Sequence, residues 1–200
     1  MAPTREVELK ACVDDEGRRR LAAEAAGATL TFEGRLEDRR YDTPGRALAL
    51  RDIVVRLRVM RGKGETRAQL DWKGATRYED GYKVRDELTT TLGQPDALHL
   101  MLTSLGYLVT REIDREIAQY ELGGATVRFE RYPRMDVLVE VEGIPEAIER
   151  AIIALGMPRE AFTTERLPEF VARFEARTGQ EAALADCELA GLHPYRLEDA

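Results

Sequence analysis

The feature that most constrains this chain is a strand-like alternation of charged and apolar residues that recurs along it. In the segment EVELK, an extended chain places Glu6, Glu8 and Lys10 on one face and Val7 and Leu9 on the other. The same alternation predicts strands over residues 53–59, 66–73, 83–89, 113–122, 125–132 and 136–142. Seven or eight such strands predict a large antiparallel sheet with one charged face.

Helical stretches lie between these strands, and most of them end at a glycine that suits a helix C-cap. They cover residues 15–27, 95–106, 145–156 and 164–179. Because the strands come in hairpin-like runs and do not alternate strictly with helices, the order favours an α+β fold over a parallel α/β fold. We expect one domain over residues 1–179, followed by a short helix and a polar tail over residues 180–200.

The composition excludes several classes of protein. A hydrophobic fraction of 44% with 34% charged residues is typical of a globular protein, not a disordered one. A net charge of −7 argues against a general partner of nucleic acid or anionic membranes, although it permits a local basic cavity. Cys12 and Cys187 match no metal-binding spacing, and no apolar run suits a signal peptide or a bilayer span, so we expect a cytoplasmic protein.

The charged faces of the predicted strands carry two chemical kinds of side chain. The cations are Lys10, Arg56, Arg58, Lys73, Lys83, Arg85 and Arg115, and the carboxylates are Glu6, Glu8, Glu87, Glu130, Glu140 and Glu142. If these faces meet bulk water, each charge pair across strands contributes roughly 0.5 kcal/mol or less. The alternative is a sheet that closes into a barrel, with the charged faces inside and helices over the apolar faces.

A barrel lined in this way needs a ligand that matches it, because enclosed charges are costly unless they are paired. The ligand must be strongly anionic to match the cations, and it must bring a divalent cation to match the carboxylates. A triphosphate with Mg²⁺ or Mn²⁺ meets both needs, since arginine binds phosphate oxygens in a bidentate way and Mg²⁺ combines carboxylates with phosphate oxygens.

The segment EVELK is similar to the ExExK signature of CYTH domain proteins, the triphosphate tunnel metalloenzymes. This family includes class IV adenylate cyclases, thiamine triphosphatases and inorganic tripolyphosphatases. The resemblance continues in residues 41–58 with their paired arginines, in the Lys-Gly of residues 72–74, in 83-KVRDE-87 and in 138-LVEVEG-143. It extends over roughly residues 5–175, and we therefore identify residues 1–179 as a CYTH domain.

The resemblance implies a closed antiparallel barrel of eight strands with helices packed outside. It assigns phosphate binding to Lys10, Arg56, Arg58, Lys73, Arg85 and Arg115. It assigns the binding of Mg²⁺ or Mn²⁺ to Glu6, Glu8, Glu130, Glu140, Glu142 and Glu87. Lys73 and Tyr41 are the residues we expect to assist catalysis, and Tyr41 is as well explained by packing.

The sequence departs from the family pattern at several positions, and these leave the reaction open. Thr89 stands where many members have an acid, Ile117 replaces the second cation of a Lys-x-Arg pair, and Arg40 replaces an aromatic residue. We expect a metal-dependent hydrolase of tripolyphosphate or an organic triphosphate, such as thiamine triphosphate or a nucleoside triphosphate. The alternatives are a class IV adenylate cyclase, a triphosphate-binding module without turnover, and a plain scaffold. The expected partner is a small triphosphate, and a homodimer is left open.

Overall fold

The computed structural model describes residues 2–200, and within them nine strands form one antiparallel sheet. The strands are β1 (Thr4–Cys12), β2 (Thr29–Asp42), β3 (Val54–Gly62), β4 (Thr66–Lys73), β5 (Arg77–Glu79), β6 (Tyr82–Leu92), β7 (Leu108–Leu122), β8 (Ala125–Arg131) and β9 (Leu138–Gly143). The strand order is β1-β9-β8-β7-β2-β3-β4-β6-β5, and β1 also pairs with β6.

The pairing of β1 with two neighbours closes the sheet. Glu8 lies opposite Glu142 of β9 and opposite Lys83 of β6, so eight strands form a continuous ring. The short strand β5 pairs only with β6 and lies outside this ring. The predicted closed eight-stranded antiparallel barrel of an α+β fold is therefore confirmed, with one extra strand.

Five helices lie outside the barrel in the described residues. They are α1 (Glu16–Ala25), α2 (Pro95–Ser104), α3 (Pro145–Ala154), α4 (Leu167–Thr178) and the short α5 (Asp186–Leu189). Local sequence explains their ends: the Asp15 side chain accepts a hydrogen bond from the Arg18 amide, and Pro95 and Pro145 occupy first-turn positions. Gly179 ends α4 with a left-handed backbone. None of these helices is both long and apolar enough to cross a membrane.

The longest strand missed by the sequence prediction is β2, which has 14 residues. Its outer face carries Arg35, Glu37 and Arg39, and its inner face carries Asp38 and Arg40. Because both faces are charged, the segment shows no alternation of charge with hydrophobicity. The short strand β5 was also missed, since three residues are too few for a pattern.

The main hydrophobic core lies between the outer faces of the strands and helix α3. Val7 and Leu9 of β1, Val139 and Val141 of β9, and Ile148 of α3 are all at most 5% exposed. This arrangement explains the alternation in the sequence: the apolar faces of the strands point outward to the helices, and the charged faces point into the barrel.

The segment after α4 completes the barrel wall. Pairing between β7 and β8 begins at Glu116, so the first half of β7 has no strand partner on that side. The Asp114 amide instead donates to the carbonyl of Leu184 at 2.8 Å, and Ala183 exchanges two backbone hydrogen bonds with Arg134. Ala183 and Leu184 are fully buried. The predicted short helix is α5, while the division at residue 179 stays a prediction.

Replacing Ile148 by alanine tests this core. Ile148 is 0% exposed in α3, so Ile148→Ala is expected to lower the free energy of unfolding by about 2–5 kcal/mol. Ile153 lies on the same helix but is 78% exposed, and Ile153→Ala is expected to change stability by only about 0.5 kcal/mol. Urea unfolding measures both, and equal losses in the two variants would contradict this placement of the core.

Candidate active site

The charged inner faces of the strands enclose a cavity of about 340 Å³. Every residue that the sequence predicted for the site lines this cavity: Glu6, Glu8, Lys10, Tyr41, Arg56, Arg58, Lys73, Arg85, Glu87, Arg115, Glu130, Glu140 and Glu142. The predicted side chains therefore lie together inside the barrel.

The cavity has two chemically different sides. β1 and β2 are four steps apart in the ring of eight strands, so they face each other across the barrel. We call the carboxylates of β1, β6 and β9 the acidic wall, which consists of Glu6, Glu8, Glu87, Glu140 and Glu142. We call the guanidinium groups of β2, β3 and β7 the arginine wall, which consists of Arg40, Arg56, Arg58 and Arg115.

Asp38 holds the arginine wall together. Its carboxylate accepts hydrogen bonds from Arg58 Nε at 2.8 Å, from Arg115 Nη2 at 3.0 Å and from Arg56 Nη1 at 3.4 Å. Burial acts to raise the pKa of Asp38, but these three guanidinium groups outweigh it and hold the pKa well below its usual range. Asp71 adds a second anchor, because it accepts from Arg56 Nη2 at 2.6 Å.

Three carboxylates of the acidic wall converge without enough positive charge to balance them. Glu6, Glu87 and Glu142 each offer an oxygen atom, and these atoms all lie within 4.8 Å of one another. Burial raises the pKa of Glu142 to about 7. The Arg128 cation acts to lower it, and the negative charges of Glu140 and Glu6 act to raise it further. Burial also raises the pKa of Glu87. Crowded carboxylate oxygens of this kind fit a hard divalent cation such as Mg²⁺ or Mn²⁺.

The other three predicted metal ligands are partners of cations in this structure. Glu8 accepts from Lys83 Nζ at 2.6 Å, Glu140 pairs with Lys10 Nζ at 2.5 Å, and Glu130 accepts from Arg115 Nε at 3.1 Å. Burial and the nearby Glu140 act to raise the pKa of Glu8. The nearby ammonium groups of Lys10, Lys83 and Lys73 outweigh these two effects and lower the pKa of Glu8 to about 2. A metal-binding role for these three carboxylates stays a prediction.

The two predicted catalytic residues have different surroundings. Lys73 Nζ is bonded to Glu6 and lies 3.5 Å from Glu87, so its ammonium group partly neutralises the converging carboxylates. The hydroxyl of Tyr41 lies 2.8 Å from Nδ1 of His99 on α2, and the Tyr41 side chain is buried. This hydrogen bond agrees with a packing role for Tyr41, and its catalytic role stays a prediction.

Several cavity residues were missed by the sequence prediction. Asp38 and Arg40 were missed with β2. Asp71 lies behind the cavity lining, where it holds Arg56, and it belongs to the charged face of a strand that was predicted. Arg128 lies on the same face of β8 as Glu130 and is bonded to Glu140. The strand phase alone could have identified Asp71 and Arg128, because residues two apart on a strand share a face.

Ile117 explains one departure from the expected pattern. It forms an apolar cluster with Phe32 and Leu36, and Met60 packs against them. By strand alternation these side chains lie on the same faces as Asp38, Arg58 and Arg115, at the end of the barrel away from Arg40. The apolar residue at position 117 therefore packs inside the barrel, where the resemblance leads one to expect a second cation.

Comparison with known families decides the identity of the fold. The CYTH domain model matches residues 4–147, which include every residue of the predicted site. The chain belongs to the CYTH domain family. No curated protein sequence matches the chain. The CYTH fold is instead supported by solved structures that are similar to it at low identity.

Three solved structures illustrate this similarity. A candidate adenylate cyclase from Vibrio parahaemolyticus has a TM-score of 0.72 at 18% identity, with 85% of this chain and 99% of that chain covered. The protein PH1819 from Pyrococcus horikoshii has a TM-score of 0.70 at 22% identity, covering 84% and 98%. A Hippeastrum protein has a TM-score of 0.59 at 16% identity, covering 90% and 98%. At these identities the likeness shows the fold.

Replacing Asp38 tests the anchoring of the arginine wall. Asp38→Asn leaves three buried guanidinium groups without their shared counterion, so we expect a loss of about 3–5 kcal/mol in the free energy of unfolding. Glu37→Gln on the outer face of the same strand weakens only partly exposed pairs with Arg35 and Arg61, and should cost about 1 kcal/mol or less. Chemical denaturation measures both, and similar losses would contradict the anchoring role.

The raised pKa of Glu142 predicts a pH dependence of stability in metal-free protein. The folded state binds the Glu142 proton more tightly than the unfolded state, so stability falls as the pH rises from about 4.5 to about 7. Glu142→Gln removes this loss. Allowing for partial solvent exposure, we expect the variant to be more stable than the wild type by about 1–2 kcal/mol at pH 8, and by nearly nothing at pH 4.5. Parallel pH profiles of stability would contradict this.

Proposed function

We propose that this CYTH protein is a divalent-metal-dependent enzyme that hydrolyses tripolyphosphate or an organic triphosphate inside its barrel. The observation that carries the proposal is the pair of opposed walls in one enclosed cavity. Arginines on one side match phosphate oxygens, and converging carboxylates on the other side match a divalent cation. A linear triphosphate with its metal ion supplies both kinds of charge at once.

The geometry of the arginine wall suits phosphate in particular. Arg58 and Arg115 share Asp38, which fixes the guanidinium planes before a ligand arrives. Arg115 Nη1 is buried and has no hydrogen-bond partner in the part of the chain that the structure describes. A buried donor without a partner is costly, and an anionic oxygen in the cavity would satisfy it.

The residues of the cavity suggest how hydrolysis would proceed. Glu6, Glu87 and Glu142 would hold the divalent cation, and when bound it would neutralise charge on the phosphate oxygens. Arg56, Arg58 and the other arginines would hold the phosphoryl groups in line and stabilise charge that develops as water displaces the leaving phosphate. Lys73 is bonded to Glu6 and lies 3.5 Å from Glu87, and its ammonium group would donate to a phosphate oxygen of the bound substrate.

Relatives with the same fold support chemistry on triphosphates. The Hippeastrum protein is described as a candidate adenylyl cyclase with a dominant triphosphatase activity, and the Vibrio protein as a candidate adenylate cyclase. We favour hydrolysis for this chain, and product analysis distinguishes the two reactions.

Incubation with Mg²⁺ or Mn²⁺ and tripolyphosphate, thiamine triphosphate or ATP tests the proposal. We expect release of orthophosphate from at least one of these substrates and none after the metal is chelated. Cyclic AMP with pyrophosphate as the products would identify a cyclase instead. Metal-dependent binding without any product would identify a binding module, and the absence of binding would refute a role in triphosphate chemistry.

Replacing one cavity arginine tests whether the proposed hydrolysis takes place in this cavity. Arg58→Gln removes a donor from the arginine wall, so we expect kcat/KM to fall by about 100-fold or more while the protein still folds. Arg61 lies on the same strand but is exposed and paired with Glu37, so Arg61→Gln serves as the matched control. We expect its kcat/KM to stay within about twofold of the wild type. Equal losses in the two variants would place the chemistry elsewhere.

A further inference from the structure

Arg40 differs from the other cations of the cavity. It lies on the inner face of β2, two residues before the end of the strand, with Arg56 and Arg111 as its neighbours on the adjacent strands. Its position is outside the set of residues that the family resemblance assigned to phosphate, since the resemblance leads one to expect an aromatic residue there.

Among the described residues, Arg40 is the one cavity-lining cation without a carboxylate oxygen within 4.0 Å. The paired cations are Lys10, Arg56, Arg58, Lys73, Lys83, Arg85, Arg115, Arg128 and Arg166. Arg40 Nη1 donates to the backbone carbonyl of Asp199 at 2.9 Å, while the carboxylate of Asp199 is bonded to Arg46. Arg40 Nε is buried and has no hydrogen-bond partner within residues 2–200.

This arrangement leaves a positive charge poorly compensated. Burial, followed by the nearby Arg56 cation, lowers the pKa of Arg40 to about 9. The hydrogen bond from Arg40 to a carbonyl does not replace the hydration that a buried guanidinium group loses. Burying the positive charge without a counterion is therefore unfavourable. An anion that enters the cavity would remove this cost.

The contacts of Arg40 also leave the appropriate edge of the guanidinium group free. Nη1 is the atom held by Asp199, so Nε and Nη2 are available to donate two parallel hydrogen bonds to one phosphoryl group. Glu198 and Asp199 of the turn at residues 197–199 line the cavity beside Arg40, and both pair with Arg46. Arg40 therefore lies at an end of the cavity that this segment covers.

We propose that Arg40 is a substrate-binding residue, which receives the phosphoryl group at this covered end of the cavity through Nε and Nη2. The inference rests on the proposed function and extends the arginine wall by one phosphate contact.

Calorimetric titration with a non-hydrolysable imido analogue of tripolyphosphate in the presence of Mg²⁺ tests this proposal in three variants of the full chain. Arg40→Gln is expected to raise Kd by about tenfold or more, because it removes charge-assisted hydrogen bonds. Arg40→Lys keeps the charge and should recover part of the affinity. The matched control is Arg39→Gln, since Arg39 lies on the outer face of β2 and pairs with Glu112. Its Kd should stay within about twofold of the wild type.

The melting temperature of the ligand-free protein separates binding from a structural role. Because Arg40 lacks a counterion, Arg40→Gln should melt at the wild-type temperature or above it, while its stabilisation by the tripolyphosphate analogue decreases. A ligand-free variant that melts well below the wild type, with no recovery of affinity in Arg40→Lys, would assign Arg40 a structural role and overturn the proposal. Unchanged Kd in Arg40→Gln would also overturn it. If the wild type itself binds neither the analogue nor tripolyphosphate, the proposed function fails first, and this inference with it.

Discussion

The closed barrel depends on buried carboxylates that compensate the positive charge of the arginines inside it. Asp38 shares its carboxylate among Arg56, Arg58 and Arg115, which lie on two strands beside its own. Without this counterion the inner faces of β2, β3 and β7 would carry more uncompensated positive charge, and closing the barrel with its charged side inward would be less favourable. The outer faces of the strands are apolar, and they are removed from water by packing against the helices.

The balance of charge inside the barrel is uneven, and the imbalance is chemically informative. Glu87 and Glu142 are raised in pKa on one wall, while Arg40 is lowered in pKa on the other. Each of these groups is less stable in its charged form than it would be in water. A protein that retains such costs does so most often at a binding site. A metal-bound triphosphate would lower both costs, because its cation matches the carboxylates and its phosphates match the guanidinium group.

The sequence predicts much of this arrangement, and the reasons for success and failure are physical. The strand containing Glu6 and Lys10 was predictable because its inner face is charged and its outer face is apolar. The strand containing Asp38 was not, since its outer face is also polar. The role of Asp38 depends on arginines from other strands, and the position of Asp199 depends on how the chain returns to the cavity. Such contacts between distant segments leave no periodic signal in a single sequence.

The most direct measurement is a crystal structure of the protein with tripolyphosphate and Mn²⁺, using anomalous scattering to locate the metal. We predict a linear triphosphate inside the barrel in contact with Arg58 and Arg115, and a Mn²⁺ ion between the triphosphate and the carboxylates of Glu6, Glu87 and Glu142. A triphosphate bound on the outer surface, with the cavity free of ligand at saturating concentration, would contradict the account.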